Sequence, residues 1–91
     1  MKASVVTTAI ADTLVKLDMT AKQACHGNCD TFAEAVQARA LELGATVKVR
    51  GTDWYSADPE HVWVEYKGKH YDAEAPLGVK RWRQLPIMLQ Q

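Results

Sequence analysis

Apolar positions along the chain fall into patterned stretches that predict most of the fold. Val6, Ile10, Leu14 and Leu17 recur at helical steps and predict a first helix over residues 3–18. Asp18-Met19-Thr20 reads as a break, and residues 21–28 as a short helix or loop. Cys29, Phe32, Val36, Ala40 and Leu43 form a second stripe, opened by Asn28 as N-cap and closed by Gly44 as a C′ glycine. Thr46–Arg50 then alternates and predicts a strand with Val47 and Val49 inward, followed by a turn-rich connection, GTDWYSADPE. His61–Tyr66 is the strongest strand; Lys67-Gly68 invites a hairpin, with KHYDAEA returning as its partner. The remaining tail holds two prolines and a glycine and is expected to be mostly irregular, with Leu85, Ile87 and Leu89 placed to cover a sheet edge. Helices that precede strands argue an α+β class: two N-terminal helices packed on a three-stranded antiparallel sheet, in one domain over residues 1–91.

Composition narrows the setting. The chain has 91 residues, 47% of them hydrophobic, with three Trp and three Tyr, as suits one small globular domain. A formal net charge of +0 gives no support for a nucleic-acid or membrane-surface partner. The short basic cluster Lys80–Arg83 reads as a solvated segment. Thr7, Thr8 and Asp12 interrupt any signal-peptide core, and no run approaches the roughly 18 apolar residues of a membrane span. A cytoplasmic protein is expected, with Cys25 and Cys29 as free thiols rather than a staple.

The candidate chemistry starts at Cys29. A thiol at the first position of a helix sits in the partial positive charge of the helix end, which favours its ionised form. The neighbouring Asp30 opposes that effect. A nucleophile needs a base, and the base an orienting group. With Lys67-Gly68 as a two-residue loop, the pairs are Tyr66 with Lys69, Glu65 with His70, Val64 with Tyr71, Trp63 with Asp72, and His61 with Glu74. His61, Trp63, Glu65, His70, Asp72 and Glu74 then share one face, opposite Val62, Val64, Tyr71 and Ala73. Asp72 becomes a diagonal neighbour of His61, with Glu74 as the alternative orienter. A face so rich in ionisable groups has to line a cleft or meet water in part. His70 and Glu65 read as a solvated cross-strand pair. Gln23, six residues before Cys29, carries an amide that could donate to an oxyanion beside the Cys29 N–H.

These residues resemble a known superfamily. GNCDTFAEA is similar to the Gly-x-Cys-x-x-Phe-Ala signature of transglutaminase-like, papain-fold cysteine enzymes. HVWVEY resembles their His-x-Trp-x-Glu strand, and HYDAEAP the strand that follows it. The order Cys, His, Asp is also theirs, and Gln23 keeps the glutamine-to-cysteine spacing of papain-type proteases. The resemblance implies a minimal papain-like domain with Cys29 as nucleophile, His61 as general base then acid, Asp72 as orienter and Gln23 in the oxyanion hole. It implies a cysteine peptidase or amidase acting on a protein or peptide substrate, with no cofactor and no metal. Asp30 stands where an aromatic residue often follows the family's cysteine, and the hairpin is very short. One alternative is an inactive papain-like module that occupies a protein partner. Another is a small zinc-binding domain using Cys25, His26 and Cys29 with His61 or His70.

Overall fold

The computed structural model describes residues 4–25, 27–52 and 61–89. Its first helix, α1, spans Val5–Leu17. Ser4 caps it by accepting the Thr7 N–H at 3.1 Å. It ends at Asp18 in the left-handed region (φ 52°), whose N–H turns back to the Leu14 and Val15 carbonyls. The predicted stripe is the buried one: Val6 and Ile10 are in the core, and Leu14 and Leu17 pack against it. A short helix α2, Ala21–Cys25, follows, and α3 spans Cys29–Glu42. Phe32, Val36 and Ala40 are buried along α3, whereas Leu43 is exposed and Cys29 only half-buried. Gly44 closes α3 at φ 92°, a conformation that favours glycine.

Four strands follow: β1 Lys48–Gly51, β2 Val62–Tyr66, β3 Lys69–Asp72 and β4 Ala75–Val79. They form one antiparallel sheet in chain order. The connection at residues 53–60, with Trp54, lies outside the described residues. The β2–β3 hairpin has the expected two-residue loop and the expected register: Tyr66 opposite Lys69, Glu65 opposite His70, Val64 opposite Tyr71. Lys67 and Gly68 both take positive φ, 49° and 79°, the twist that suits a two-residue hairpin.

The sheet has four strands rather than three, because the segment after Asp72 is a strand and not an irregular tail. Ala73-Glu74 makes a tight turn, and Asp72 pairs with Ala75 across it. The Asp72 carboxylate accepts the Glu74 N–H at 2.9 Å and fixes that turn. β4 is an edge strand, where Pro76 is tolerated. It carries extra residues between Ala75 and Val79, and Gly78 sits in this irregularity at φ 82°. The Tyr71 ring lies against Gly78 so closely that a Cβ there would come within 2.7 Å of it.

Two cores flank the sheet. The larger joins α1, α2 and α3 to Val64, Tyr71 and Ala73. The smaller gathers Trp63, Ala75 and Leu85, with Val79, Trp82 and Met88 against them. The tail thus covers sheet face rather than sheet edge. It forms a 3-10 turn at Trp82–Gln84 and a short helix α4, Pro86–Leu89. Leu85 and Ile87 are buried, but Leu89 is 68% exposed. Trp82 stacks on Trp63 with ring centroids 5.5 Å apart. Among the described residues, no helix is long and apolar enough to cross a membrane.

Candidate active site

His61 immediately precedes β2, and two hydrogen bonds to Thr52 hold its backbone. The His61 N–H donates to Thr52 Oγ1 at 2.8 Å, and the Thr52 N–H donates to the His61 carbonyl at 2.9 Å. Thr52 is buried and continues the β1–β2 register by one step beyond Gly51 opposite Val62. Thr52 belongs to no motif in the sequence. Its signal is that register, which follows only once β1 is aligned on β2.

The imidazole is covered completely and meets Asp72. Nε2 lies 2.9 Å from Asp72 Oδ2, with side-chain exposures of 0% and 3%. A carboxylate only accepts, so Nε2 carries the proton, and in the neutral ring Nδ1 keeps the lone pair. Nδ1 is buried with no hydrogen-bond partner among the described residues. Asp72, not Glu74, is therefore the group on the imidazole. The ring stacks beside Trp63 at 6.1 Å, and the Trp63 Nε1–H donates to His70 Nδ1 at 2.9 Å. His70 and Glu65 do not pair with each other: Glu65 accepts from Arg50 Nε at 2.9 Å. Burial lowers the His70 pKa below its ordinary 6.5, which keeps the neutral ring that Trp63 requires.

Cys29 and His61 wall the same open cavity of about 400 Å³, together with Gly27, Asp30, Gly51, Thr52 and Val62. Cys29 is the first residue of α3. The N–H groups of Cys29, Asp30 and Thr31 have no helical acceptor by geometry, and the Asn28 side chain makes no capping hydrogen bond to them. Asn28 occupies the N-cap position, but its Nδ2 donates instead to the Gln23 carbonyl at 3.1 Å. This ties α2 to the start of α3.

The structure does not bring Gln23 to the cavity wall. Gln23 is exposed, and its Oε1 accepts the Thr20 N–H at 2.9 Å while its own N–H donates to Thr20 Oγ1 at 3.1 Å. That reciprocal pair is a capping box on α2.

Both cysteines are free, but their surroundings differ. Cys25 is buried at the end of α2, and its sulfur lies within 4.8 Å of donor atoms of both His61 and Asp72. Burial first, then the Asp72 charge, pushes the Cys25 thiol from its ordinary 9.0 up to about 12. Cys25 is thus a neutral, enclosed thiol, and Cys29 is the accessible one. His26 lies outside the described residues.

The raised pKa fixes a sign for stability against pH. The unfolded chain releases the Cys25 proton near 9.0 and the folded chain only near 12, so alkali favours unfolding. The stabilisation from a neutral Cys25 is complete below 9.0 and lost as pH climbs towards 12. Urea midpoints of the wild type should fall more steeply across that window than those of Cys25→Ala. Parallel slopes would mean that Cys25 titrates as an ordinary thiol.

No family model matches the chain, and neither does any curated protein or solved structure.

Proposed function

We propose that this chain is a thiol-dependent acyl-transfer enzyme, a small peptidase or amidase, with Cys29 as nucleophile, His61 as base and acid, and Asp72 as orienter. One observation carries the reading. A buried imidazole is held by a carboxylate at Nε2 with its Nδ1 unpartnered among the described residues, and His61 lines the same cavity as a thiol at the first position of a helix.

The steps follow from those positions. Nδ1 takes the Cys29 proton, and the helix end stabilises the thiolate that remains. The thiolate attacks an acyl carbonyl carbon, and the free amides at the start of α3 receive the oxyanion. The imidazolium, stabilised by Asp72, gives its proton to the leaving amine as the carbon–nitrogen bond breaks. Water, deprotonated by Nδ1, then attacks the thioester and releases the acid and Cys29. The Cys29 N–H fills the oxyanion role without Gln23, which caps α2.

The α+β order, with a thiol at the head of α3, the imidazole just before β2 and the carboxylate at the end of β3, fits a minimal papain-like domain. Two free thiols suit a reducing, cytoplasmic setting. The open cavity suits an extended peptide rather than a small enclosed substrate.

Iodoacetamide provides the first test. Peptide mapping after brief exposure at neutral pH should place the label on Cys29 and leave Cys25 unmodified. The rate should exceed that of a free thiol by about tenfold, and an activated acyl ester should leave its acyl group on Cys29. Labelling of Cys29 no faster than glutathione, with no acyl adduct, would refute the reading.

A further inference from the structure

We propose that Cys25, His61 and Asp72 form a binding site for a borderline divalent cation, with zinc as the best match. This departs from the expectation of a metal-free site, and it differs from the CHGNC ligand set considered from sequence. Each of the three residues offers one donor atom, and those atoms all lie within 4.8 Å of one another. The residues are 3%, 1% and 4% exposed. They converge from three separate places in the fold: the end of α2, the residue before β2 and the end of β3. Donors around a tetrahedral zinc stand roughly 3.3–3.8 Å apart. Shifts of about an ångström therefore close the cluster on an ion.

The donor chemistry selects the ion. One sulfur, one imidazole nitrogen and one carboxylate oxygen suit zinc or cobalt, whereas magnesium and calcium take oxygen. Hydrogen bonds also fix two of the ligands. The Glu74 N–H holds Asp72 Oδ1, and Thr52 clamps the His61 backbone on both sides.

Binding balances without any oxidant or reductant. Asp72 enters as carboxylate. The Nε2 proton of His61 moves to Nδ1, which leaves the Nε2 lone pair for the ion. Cys25 releases one proton to solvent and binds as thiolate. His61 then presents an N–H at Nδ1 in place of a lone pair, so an occupied site switches off the base. Binding itself does not depend on the acyl-transfer reading and is measured with no turnover.

The test uses the full chain with Cys29→Ser, reduced and freed of metal by chelation. Cys25 is then the only thiol, since the chain has two cysteines. Cobalt(II) should bind one to one and produce a thiolate charge-transfer band in the near ultraviolet, and one equivalent of zinc should bleach it. Asp72→Asn in this background should weaken cobalt binding by more than the roughly 10–100-fold that loss of an outer-shell partner costs. Calorimetry in buffers of different ionisation enthalpy should register release of about one proton per ion. Because substitution of a buried ligand can unfold the domain, X-ray absorption of zinc-loaded Cys29→Ser protein supplies a readout that alters no ligand. It should show one sulfur among nitrogen and oxygen neighbours. A zinc shell without sulfur, or no cobalt band at stoichiometric protein, overturns the site. A band abolished by His26→Ala overturns it too, by moving the ion to the CHGNC segment. Failure of metal binding would leave Cys29 alkylation untouched, and loss of Cys29 reactivity would leave the cobalt band intact.

Discussion

Asp72→Asn, assayed free of metal, should retain the fold and lose about 10³–10⁴-fold in the rate of Cys29 acylation. The loss comes from a change of tautomer. Asp72 accepts from the His61 Nε2–H at 2.9 Å and, through its other oxygen, from the Glu74 N–H. An asparagine in the same place keeps an oxygen for Glu74, so the β3–β4 turn survives. Its NH₂ group, however, donates to Nε2, which must then be the acceptor. The ring proton moves to Nδ1, the atom that has to receive the Cys29 proton. The nucleophile is left without a base, and the imidazolium without its stabilising charge. Acylation by an activated ester and alkylation by iodoacetamide should both fall towards the rates of an ordinary thiol, and the pH profile should follow the free thiol. Circular dichroism and the thermal midpoint should stay close to wild type. Glu74→Gln, which alters a carboxylate that does not contact the imidazole nitrogen, should remain within a few-fold. Wild-type rates in Asp72→Asn would mean that this carboxylate positions nothing.

The hairpin was the most legible part of the chain. Lys67-Gly68 invites a two-residue loop, and that loop fixes which residues face each other out to Val64 and Tyr71. The same parity brings Asp72 within reach of His61. The stripe of α1 and the start of α3 were equally open to reading, because helical periodicity and the Gly44 stop are local signals. The fourth strand was hidden because Pro76 and Gly78 are strand breakers by composition. They are accommodated here by an edge position and by an irregularity that the Tyr71 ring fills. Gln23 shows two uses of one spacing. Thr20-x-x-Gln23 is a capping-box pattern, and that local hydrogen bonding competes with any longer-range role. The contact of Cys25 with His61 and Asp72 could not be read at all. It depends on how the short helix α2 lies against the Ala73-Glu74 turn, which no periodicity encodes.

Trp63→Ala should produce the largest loss of stability of any single substitution considered for this protein. Trp63 is 1% exposed and forms the centre of the smaller core with Ala75 and Leu85. Its ring stacks with those of His61, at 6.1 Å, and Trp82, at 5.5 Å. Removing a buried tryptophan costs about 3–5 kcal/mol in lost transfer energy and residual cavity. A domain of this size is stable by about 5–14 kcal/mol in total. The thermal midpoint should therefore fall by roughly 12–40 °C. Trp63→Phe separates packing from hydrogen bonding. It keeps most of the stacked surface and removes only the donor to His70 Nδ1, whose side chain is half-buried and can turn to water, so about 1–2 kcal/mol should be lost. The near-ultraviolet circular dichroism of the stacked indoles should vanish in Trp63→Ala and weaken in Trp63→Phe. Because that indole both supports the tail and flanks the His61 ring, Cys29 acylation should decline in Trp63→Ala even at temperatures where the variant is folded. A midpoint within about 4 °C of wild type would mean that the tail does not pack on Trp63, and that the imidazole owes its position to Asp72 and Thr52 alone.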